Sequence, residues 1–388
     1  MVPLKEIEAR QARLRTRLQE QGVDGALYVY PIDVFYFTGT RQNSTLWIPA
    51  SGDPTLFVRR SFTRAKDESL VADTRPFPSS RDFPSFFGAE IRRVGCTFDV
   101  MPVQYFTYYS GLLPGRELVD ISRINRDLRS VKSPWEQERI RVSGRRLADV
   151  FAQVPHFLVR GMRETDLAAE IEYRLKKAGS EGNVRARSFG QEMIGLTTSG
   201  YRAAVPGSFD GPVTGKGISN AAPYGPSIET IQEGEPIMLD FAGIWDGYLT
   251  DISRIFAMGD LSPELKKAFD VACAIQNHLA DGLRPGSICE DLYTSAVAMA
   301  GEAGLGDFFM GCNGEQVRFV GHGLGLELDE HPIIAKGFRE ALQEGQAVAL
   351  EPKFIFPGQG VVGIENTFLV TPSGGEKLTT LADDIVYV

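Results

Sequence analysis

Two aliphatic ribbons, each carrying a pair of acids, constrain this chain more than anything else in it. The first runs Pro236-Ile237-Met238-Leu239-Asp240-Phe241-Ala242-Gly243-Ile244 into Trp245-Asp246-Gly247-Tyr248, then through Leu249-Thr250-Asp251-Ile252-Ser253-Arg254-Ile255-Phe256. Asp246-Gly247 is a strong two-residue hairpin turn. With that turn Asp240 faces Ser253, and Asp251, of the same parity as Ser253, becomes the diagonal neighbour of Asp240. Diagonal neighbours lie about 7–8 Å apart at the backbone, close enough for two carboxylates to grip one ion. Aspartate is depleted in strands, and an unpaired buried charge is costly. Two on one face of an apolar ribbon therefore require a cation.

The second ribbon reads Ala347-Val348-Ala349-Leu350-Glu351-Pro352-Lys353-Phe354-Ile355-Phe356, then Pro357-Gly358-Gln359-Gly360, then 361–370 with Glu365 inside it. A three-residue loop at Pro357-Gly358-Gln359 sets Glu351 opposite Glu365. A two-residue loop at Gly358-Gln359 needs a bulge to do so. Like charges face to face repel unless a metal or a proton intervenes. Pro352 demands an edge or a bulge. His322 stands in Gly321-His322-Gly323-Leu324-Gly325, where the glycines leave its ring unshielded. Four acids and one imidazole make a donor set for a dinuclear site of hard divalent ions.

The ribbons belong to a weak internal repeat. Ser133-Pro134 and Ser262-Pro263 each open a charged amphipathic helix. Gly161-Met162-Arg163-Glu164-Thr165-Asp166-Leu167 is echoed by Gly286-Ser287-Ile288-Cys289-Glu290-Asp291-Leu292, again leading into a helix. The order helix, helix, acidic hairpin occurs twice, which implies two facing halves. Upstream, Leu4, Ile7, Leu14 and Leu18 share one side of a helix. Strands are expected over 24–30, over Asp33-Val34-Phe35-Tyr36-Phe37, in a hairpin joining Leu46-Trp47-Ile48 to Thr55-Leu56-Phe57-Val58, and near 91–94. A connector is expected over 121–133.

The 388 residues suffice for two domains. A net charge of −9 and a pI near 5.2 argue against nucleic-acid and anionic-membrane surfaces. Four scattered cysteines give neither a zinc knuckle nor a disulfide framework, and suit a reducing compartment. The first 20 residues read as a helix rather than a leader, and no apolar run approaches the roughly 18 residues that span a bilayer. A cytoplasmic setting is the expectation.

These motifs resemble the pita-bread metallopeptidases: methionine aminopeptidase, prolidase, aminopeptidase P and creatinase. The ligand order Asp, Asp, His, Glu, Glu matches at Leu239-Asp240-Phe241-Ala242-Gly243, Thr250-Asp251-Ile252-Ser253-Arg254, Gly321-His322-Gly323-Leu324-Gly325-Leu326-Glu327, Leu350-Glu351-Pro352 and Gly363-Ile364-Glu365-Asn366. Gly22-Val23-Asp24-Gly25-Ala26-Leu27 and Tyr36-Phe37-Thr38-Gly39 are similar to the creatinase-type amino-terminal domain. Leu128-Arg129-Ser130-Val131-Lys132-Ser133 resembles the entry into the catalytic domain. The resemblance implies an α/β creatinase-like domain over 1–127. It implies an α+β pita-bread catalytic domain with a pseudo-two-fold helix-helix-hairpin repeat over 128–388. It further implies two divalent ions (Mn, Co, Fe or Zn) held by Asp240, Asp251, His322, Glu351 and Glu365, a bridging water that attacks a carbonyl, Glu351 as proton shuttle, and a homodimer.

Departures accompany the match. Prolidase-like sequences place a histidine where Tyr224 stands, another where Asp329 stands, and an arginine where Gly363 stands. Tyr224 can still donate a hydrogen bond as a catalytic group. Asp329 would welcome a substrate amine and repel a carboxylate. His331, two residues on, would share its face in an extended segment. The resemblance leads first to cleavage of Xaa-Pro peptides. These departures motivate a second reading, metal-dependent hydrolysis or elimination on a small non-peptide molecule. A third, a metal-free binding module, would leave the acids buried without a cation. His156 and His278 receive no role.

Overall fold

The structure, a computed structural model, describes residues 2–188, 195–207 and 211–388. The chain divides into two compact units, Met1–Arg129 and Ser130–Val388.

The first unit opens with α1 (Leu4–Glu20), which buries Ile7, Leu14 and Leu18 on one face. A six-stranded mixed sheet follows, ordered β4-β3-β2-β1-β5-β6. Its strands are β1 (Gly25–Tyr28), β2 (Ser44–Pro49), β3 (Thr55–Val58), β4 (Asp73–Pro76), β5 (Arg93–Cys96) and β6 (Glu117–Asp120). The expected hairpin is present, with Trp47 paired to Thr55. Leu27, Trp47, Phe57, Phe83, Val94 and Tyr109 anchor the core of this unit.

Two expectations fail here. The segment 33–37 is not a strand but lies within helix α2 (Pro31–Thr38). Pro31 presets the first helical φ, and Gly39 closes the helix at φ 82° in the left-handed region. Two side chains buried on α1 then satisfy carbonyls at its end: Arg10 Nη1 donates to Tyr36 O (2.8 Å) and Gln11 Nε2 to Phe37 O (2.9 Å). These tertiary partners outweigh the β propensity of the aromatic run. The supposed connector is mostly helix α5 (Ser122–Ser130), after α3 (Phe62–Glu68) and α4 (Val103–Leu112). Asn125 and Arg129 of α5 hydrogen-bond the buried carboxylate of Asp33.

The second unit repeats helix, helix and ribbon. Its first half has α6 (Pro134–Phe151), α7 (Glu164–Lys177), β7 (Leu196–Ser199), the single turn α8 (Gly200–Ala203), β8 (Pro236–Trp245) and β9 (Tyr248–Ala257). Its second half has α9 (Pro263–Gly282), α10 (Cys289–Glu302), β10 (Phe319–Gly323), β11 (Glu330–Ala335), β12 (Ala347–Leu350), β13 (Lys353–Phe356), β14 (Gly360–Gly363), β15 (Asn366–Thr371), β16 (Gly374–Lys377) and β17 (Val386–Tyr387). Ser133 caps α6 in a full capping box with Glu136, and Ser262 caps α9. Glu136 also accepts a hydrogen bond from Tyr248 Oη (2.9 Å), tying the start of α6 to the Asp246-Gly247 turn.

Sheet order is β17-β9-β8-β7 in one half and β11-β10-β12-β15-β16 in the other, with β13-β14 as a separate ribbon. Ile237, Leu239, Phe241, Ile252 and Phe256 pack with Leu147, Phe151, Leu167 and Ile171 of α6 and α7. Met238 and Ile255, on the opposite face of the β8-β9 hairpin, join the core made with α9, α10, β10 and β12 to β15. Asp240 has the parity of Met238, and Asp251 and Ser253 that of Ile255. Both aspartates thus project from the face turned toward the second half. No helix among the described residues is long and apolar enough to cross a membrane.

Candidate metal centre

Register brings the acids together. Asp240 pairs with Ser253 and Ala242 with Asp251, which makes the aspartates the diagonal neighbours expected. In the second ribbon Leu350 pairs with Asn366 and Lys353 with Gly363 across the three-residue loop. Glu351 and Glu365 lie in the breaks between β12 and β13 and between β14 and β15, where each strand changes partner. Pro352, lacking an N–H, occupies one of those breaks, and its carbonyl accepts from Ile364 N (3.2 Å). Freed from its own ribbon, Glu365 exchanges backbone hydrogen bonds with Ser253 at 3.3 and 3.4 Å. That exchange stitches the two hairpins at the point where their acids converge.

Asp251, His322 and Glu365 form a buried group whose candidate ligand atoms all lie within 4.8 Å of one another. Asp240 and Glu351 line the same small cavity, about 40 Å³, with Leu328, Asp329 and Lys353. That volume suits an ion and a few waters. Asp251 is held by Thr367, whose Oγ1 accepts from the Asp251 N–H (3.1 Å) and donates to its carbonyl (3.0 Å). His322 Nδ1 lies 3.2 Å from Gly323 O, so a proton there leaves the Nε2 lone pair facing the acids. Nε2 is 3.6 Å from Glu351 Oε1 and 3.7 Å from Glu365 Oε1. Those gaps exceed a hydrogen bond. They approach the spacing of roughly 3–3.5 Å between ligands that each stand about 2.0–2.2 Å from a shared ion.

Lys353 is the residue the sequence reading misses. Its ammonium contacts Asp240 Oδ2 (2.8 Å), Glu351 Oε2 (2.7 Å) and Glu365 Oε2 (3.1 Å), and its side chain is only 2% exposed. The signal lay in parity. Lys353 follows Glu351 by two on an apolar ribbon, so it points the same way, and a lysine there needs carboxylates. Its partner Gly363 makes the room: a Cβ at 363 would stand 2.7 Å from Lys353 Cγ and 2.6 Å from Pro352 O.

Electrostatics show how strained this donor set is without further positive charge. Burial raises the Asp251 carboxyl well above its usual range, and Glu365 and Asp240 add to the effect. Burial likewise raises Asp240 and Glu351, opposed by Lys353. Burial alone would depress Lys353, but Asp240, Glu351 and Glu365 outweigh it and raise its pKa well above the ordinary value. His322 follows the same pattern: burial lowers it, while Glu365, Asp329 and Glu351 together carry it well upward. Protons and a metal cation compete for these oxygens.

Of the other expected site residues, only Asp329 lines the cavity. Its backbone is left-handed at φ 58°, and Oδ1 lies 3.6 Å from His322 Nδ1. This bend defeats the expectation that His331 shares its face, since alternation holds only in extended chain. His331 instead lies beside Glu340, Nδ1 to Oε2 3.5 Å, while its neighbour Glu330 is buried against Lys132 (3.1 Å). Tyr224 is 38% exposed and is not among the lining residues of the cavity.

Comparison with known proteins agrees with this architecture. Residues 138–372 match metallopeptidase family M24, and residues 10–131 match the creatinase/prolidase N-terminal domain. The Xaa-Pro dipeptidase of Pyrococcus furiosus is 26% identical over 377 residues, covering 96% of this chain and 98% of that one. That of Lactobacillus helveticus is 26% identical over 388 residues, covering 96% and 97%. Among solved structures, an Xaa-Pro dipeptidase from Bacillus anthracis superposes with a TM-score of 0.85 at 22% identity, covering 98% of this chain and all of that chain. An X-Pro aminopeptidase from Thermotoga maritima gives 0.81 at 24%, covering 97% and 99%. The fold is therefore a creatinase-type α/β domain followed by a pita-bread catalytic domain, and the chain belongs to metallopeptidase family M24.

Proposed function

We propose that this chain is a divalent-metal hydrolase that cleaves Xaa-Pro bonds in short peptides. The observation that carries the reading is the convergence of Asp251, His322 and Glu365 within 4.8 Å, with Glu351 and Asp240 beside them. The names of the full-length relatives supply the substrate class. Asp240, Asp251, His322, Glu351 and Glu365 would hold divalent metal, and oxygen donors with one imidazole admit Mn, Co, Fe or Zn. A divalent ion there supplies Lewis acidity, lowering the pKa of a water and polarising a carbonyl.

The protein's own residues do the rest. Glu351 lies within the ion-binding set, hydrogen-bonded at Oε2 by Lys353. In this reading it takes a proton from the attacking water at a carboxylate oxygen and passes it to the leaving nitrogen. Thr367 and the Ser253 bridge fix Asp251 and Glu365, so the donors need not reorganise during the reaction. Asp329, 44% exposed at its side chain, sets a negative charge at the rim, suited to a substrate amine.

The test is turnover of Xaa-Pro dipeptides and longer Xaa-Pro peptides by protein loaded in turn with each candidate metal. Release of the residue before proline supports the reading. Asp329 and Lys353 favour a second one, metal-dependent chemistry on a small non-peptide molecule. Metal-loaded protein inert on the whole panel would transfer the assignment to it.

A further inference from the structure

The glutamates of the site are split between two cation positions. Glu351 turns Oε1 toward His322 Nε2 (3.6 Å) and Oε2 toward Lys353 Nζ (2.7 Å). Glu365 does the same, with Oε1 at 3.7 Å from Nε2 and Oε2 at 3.1 Å from Nζ. On the imidazole side, Asp251 completes a group of nitrogen and oxygen donors whose candidate ligand atoms lie within 4.8 Å of one another. On the other side, Asp240 Oδ2 completes a triangle of oxygens already closed on an ammonium, at 2.8 Å.

The geometry points to a one-ion centre: Lys353 occupies the second cation position that the Asp, Asp, His, Glu, Glu donor set would otherwise offer, and the chain binds a single divalent ion at Asp251, His322, Glu351 and Glu365. This rests on the metal-site reading of the proposed function. Three observations carry it. The ammonium makes three charge-assisted contacts, the bonding capacity of its three N–H groups. The side chain is buried, and the absent Cβ of Gly363 is what lets its stem lie where it does. An ion on the same oxygens would need them at about 2.0–2.2 Å from a point now filled by nitrogen, and the two cations would repel at that separation.

Charge balance agrees. Four carboxylates against one divalent ion and one ammonium leave a small residual negative charge. Two divalent ions plus the ammonium would leave an excess of one positive charge, which only the half-exposed carboxylate of Asp329 at the rim could offset among the described lining residues.

The experiment counts ions. Full-length protein is stripped with a chelator, saturated with Mn(II) or with Co(II), freed of excess and analysed for metal per chain, with calorimetric titration as a second count. The Mn(II) form is also examined by electron paramagnetic resonance. Wild type is expected to hold about one ion per chain and to give the spectrum of an isolated ion, whereas Lys353→Gly is expected to hold about two and to show exchange coupling. Two ions in the wild type, or a folded Lys353→Gly variant that still holds one, would overturn the inference and leave the metal-dependent peptidase intact. No bound ion in the wild type would instead remove the metal-site reading itself. The wild-type count decides the matter even if the variant fails to fold.

Discussion

Asp251 is the residue on which most of the site's geometry depends. It is buried and fixed by Thr367 through both its N–H and its carbonyl. Losing a partner of a metal ligand typically costs ~10–100-fold in affinity or activity, so Asp251→Ala, which removes a donor itself, is expected to cost more than ~100-fold in both. Metal analysis and peptide turnover check this, and wild-type activity in the variant would remove Asp251 from the site. A second expectation concerns the thiols. Burial pushes Cys96, Cys273 and Cys289 from 9.0 up to about 12. The unfolded chain gives up these protons from about pH 9, the folded chain only near 12, so the folded state binds more protons between those values. Stability therefore falls as pH rises through that window. Denaturation midpoints at about pH 8, 9 and 10 should decline, and replacing the three thiols by alanine should flatten the decline. At this scale the sequence shows which groups are costly to bury, and the register sets Asp240 and Asp251 on one face as that reading expects. The same reading passes over Lys353, because lysine on paper is a surface residue, and of its three carboxylates only Glu351 lies two positions away while Asp240 and Glu365 arrive from elsewhere in the chain.

At the scale of elements, legibility follows how locally a structure is determined. The β8-β9 register could be read outright because Asp246-Gly247 fixes it within two residues. The strand mistaken at 33–37 needed information from elsewhere, since α1 side chains satisfy the end of that helix. Asp329 shows the same limit: a left-handed residue cancels the alternation that sequence spacing assumes. The strand carrying His322 owes its position to close backbone approach. A Cβ at Gly323 would meet His331 O at 2.3 Å and Glu330 O at 2.5 Å, and one at Gly321 would meet Ala349 O at 2.5 Å. Gly323→Ala must force β10 away from β11, an overpacking expected to cost about 1–3 kcal/mol. Chemical denaturation measures that loss. A metal affinity that falls with it would show that His322 moves with the strand, whereas an unchanged midpoint would mean that β11 yields.

For the whole molecule, the helix-helix-ribbon order read twice in the sequence is the architecture of the second unit, and its two acidic ribbons meet through one backbone exchange at Ser253 and Glu365. What the repeat could not convey is that its halves are chemically unequal: one contributes only acids, the other acids, an imidazole and an ammonium. This inequality bears on metal removal. Chelation is expected to lower the melting temperature by several degrees, as ligand linkage requires, while the cooperative transition persists. Loss of that transition in calorimetry would mean the ion, and not the polypeptide, organises the ribbons. A positive charge built into the backbone's own sequence cannot be diluted, exchanged or starved away. A transition that persists without metal would mean that folding finishes before any ion is encountered, and that the finished cavity, rather than a collapsing chain, selects among the ions on offer.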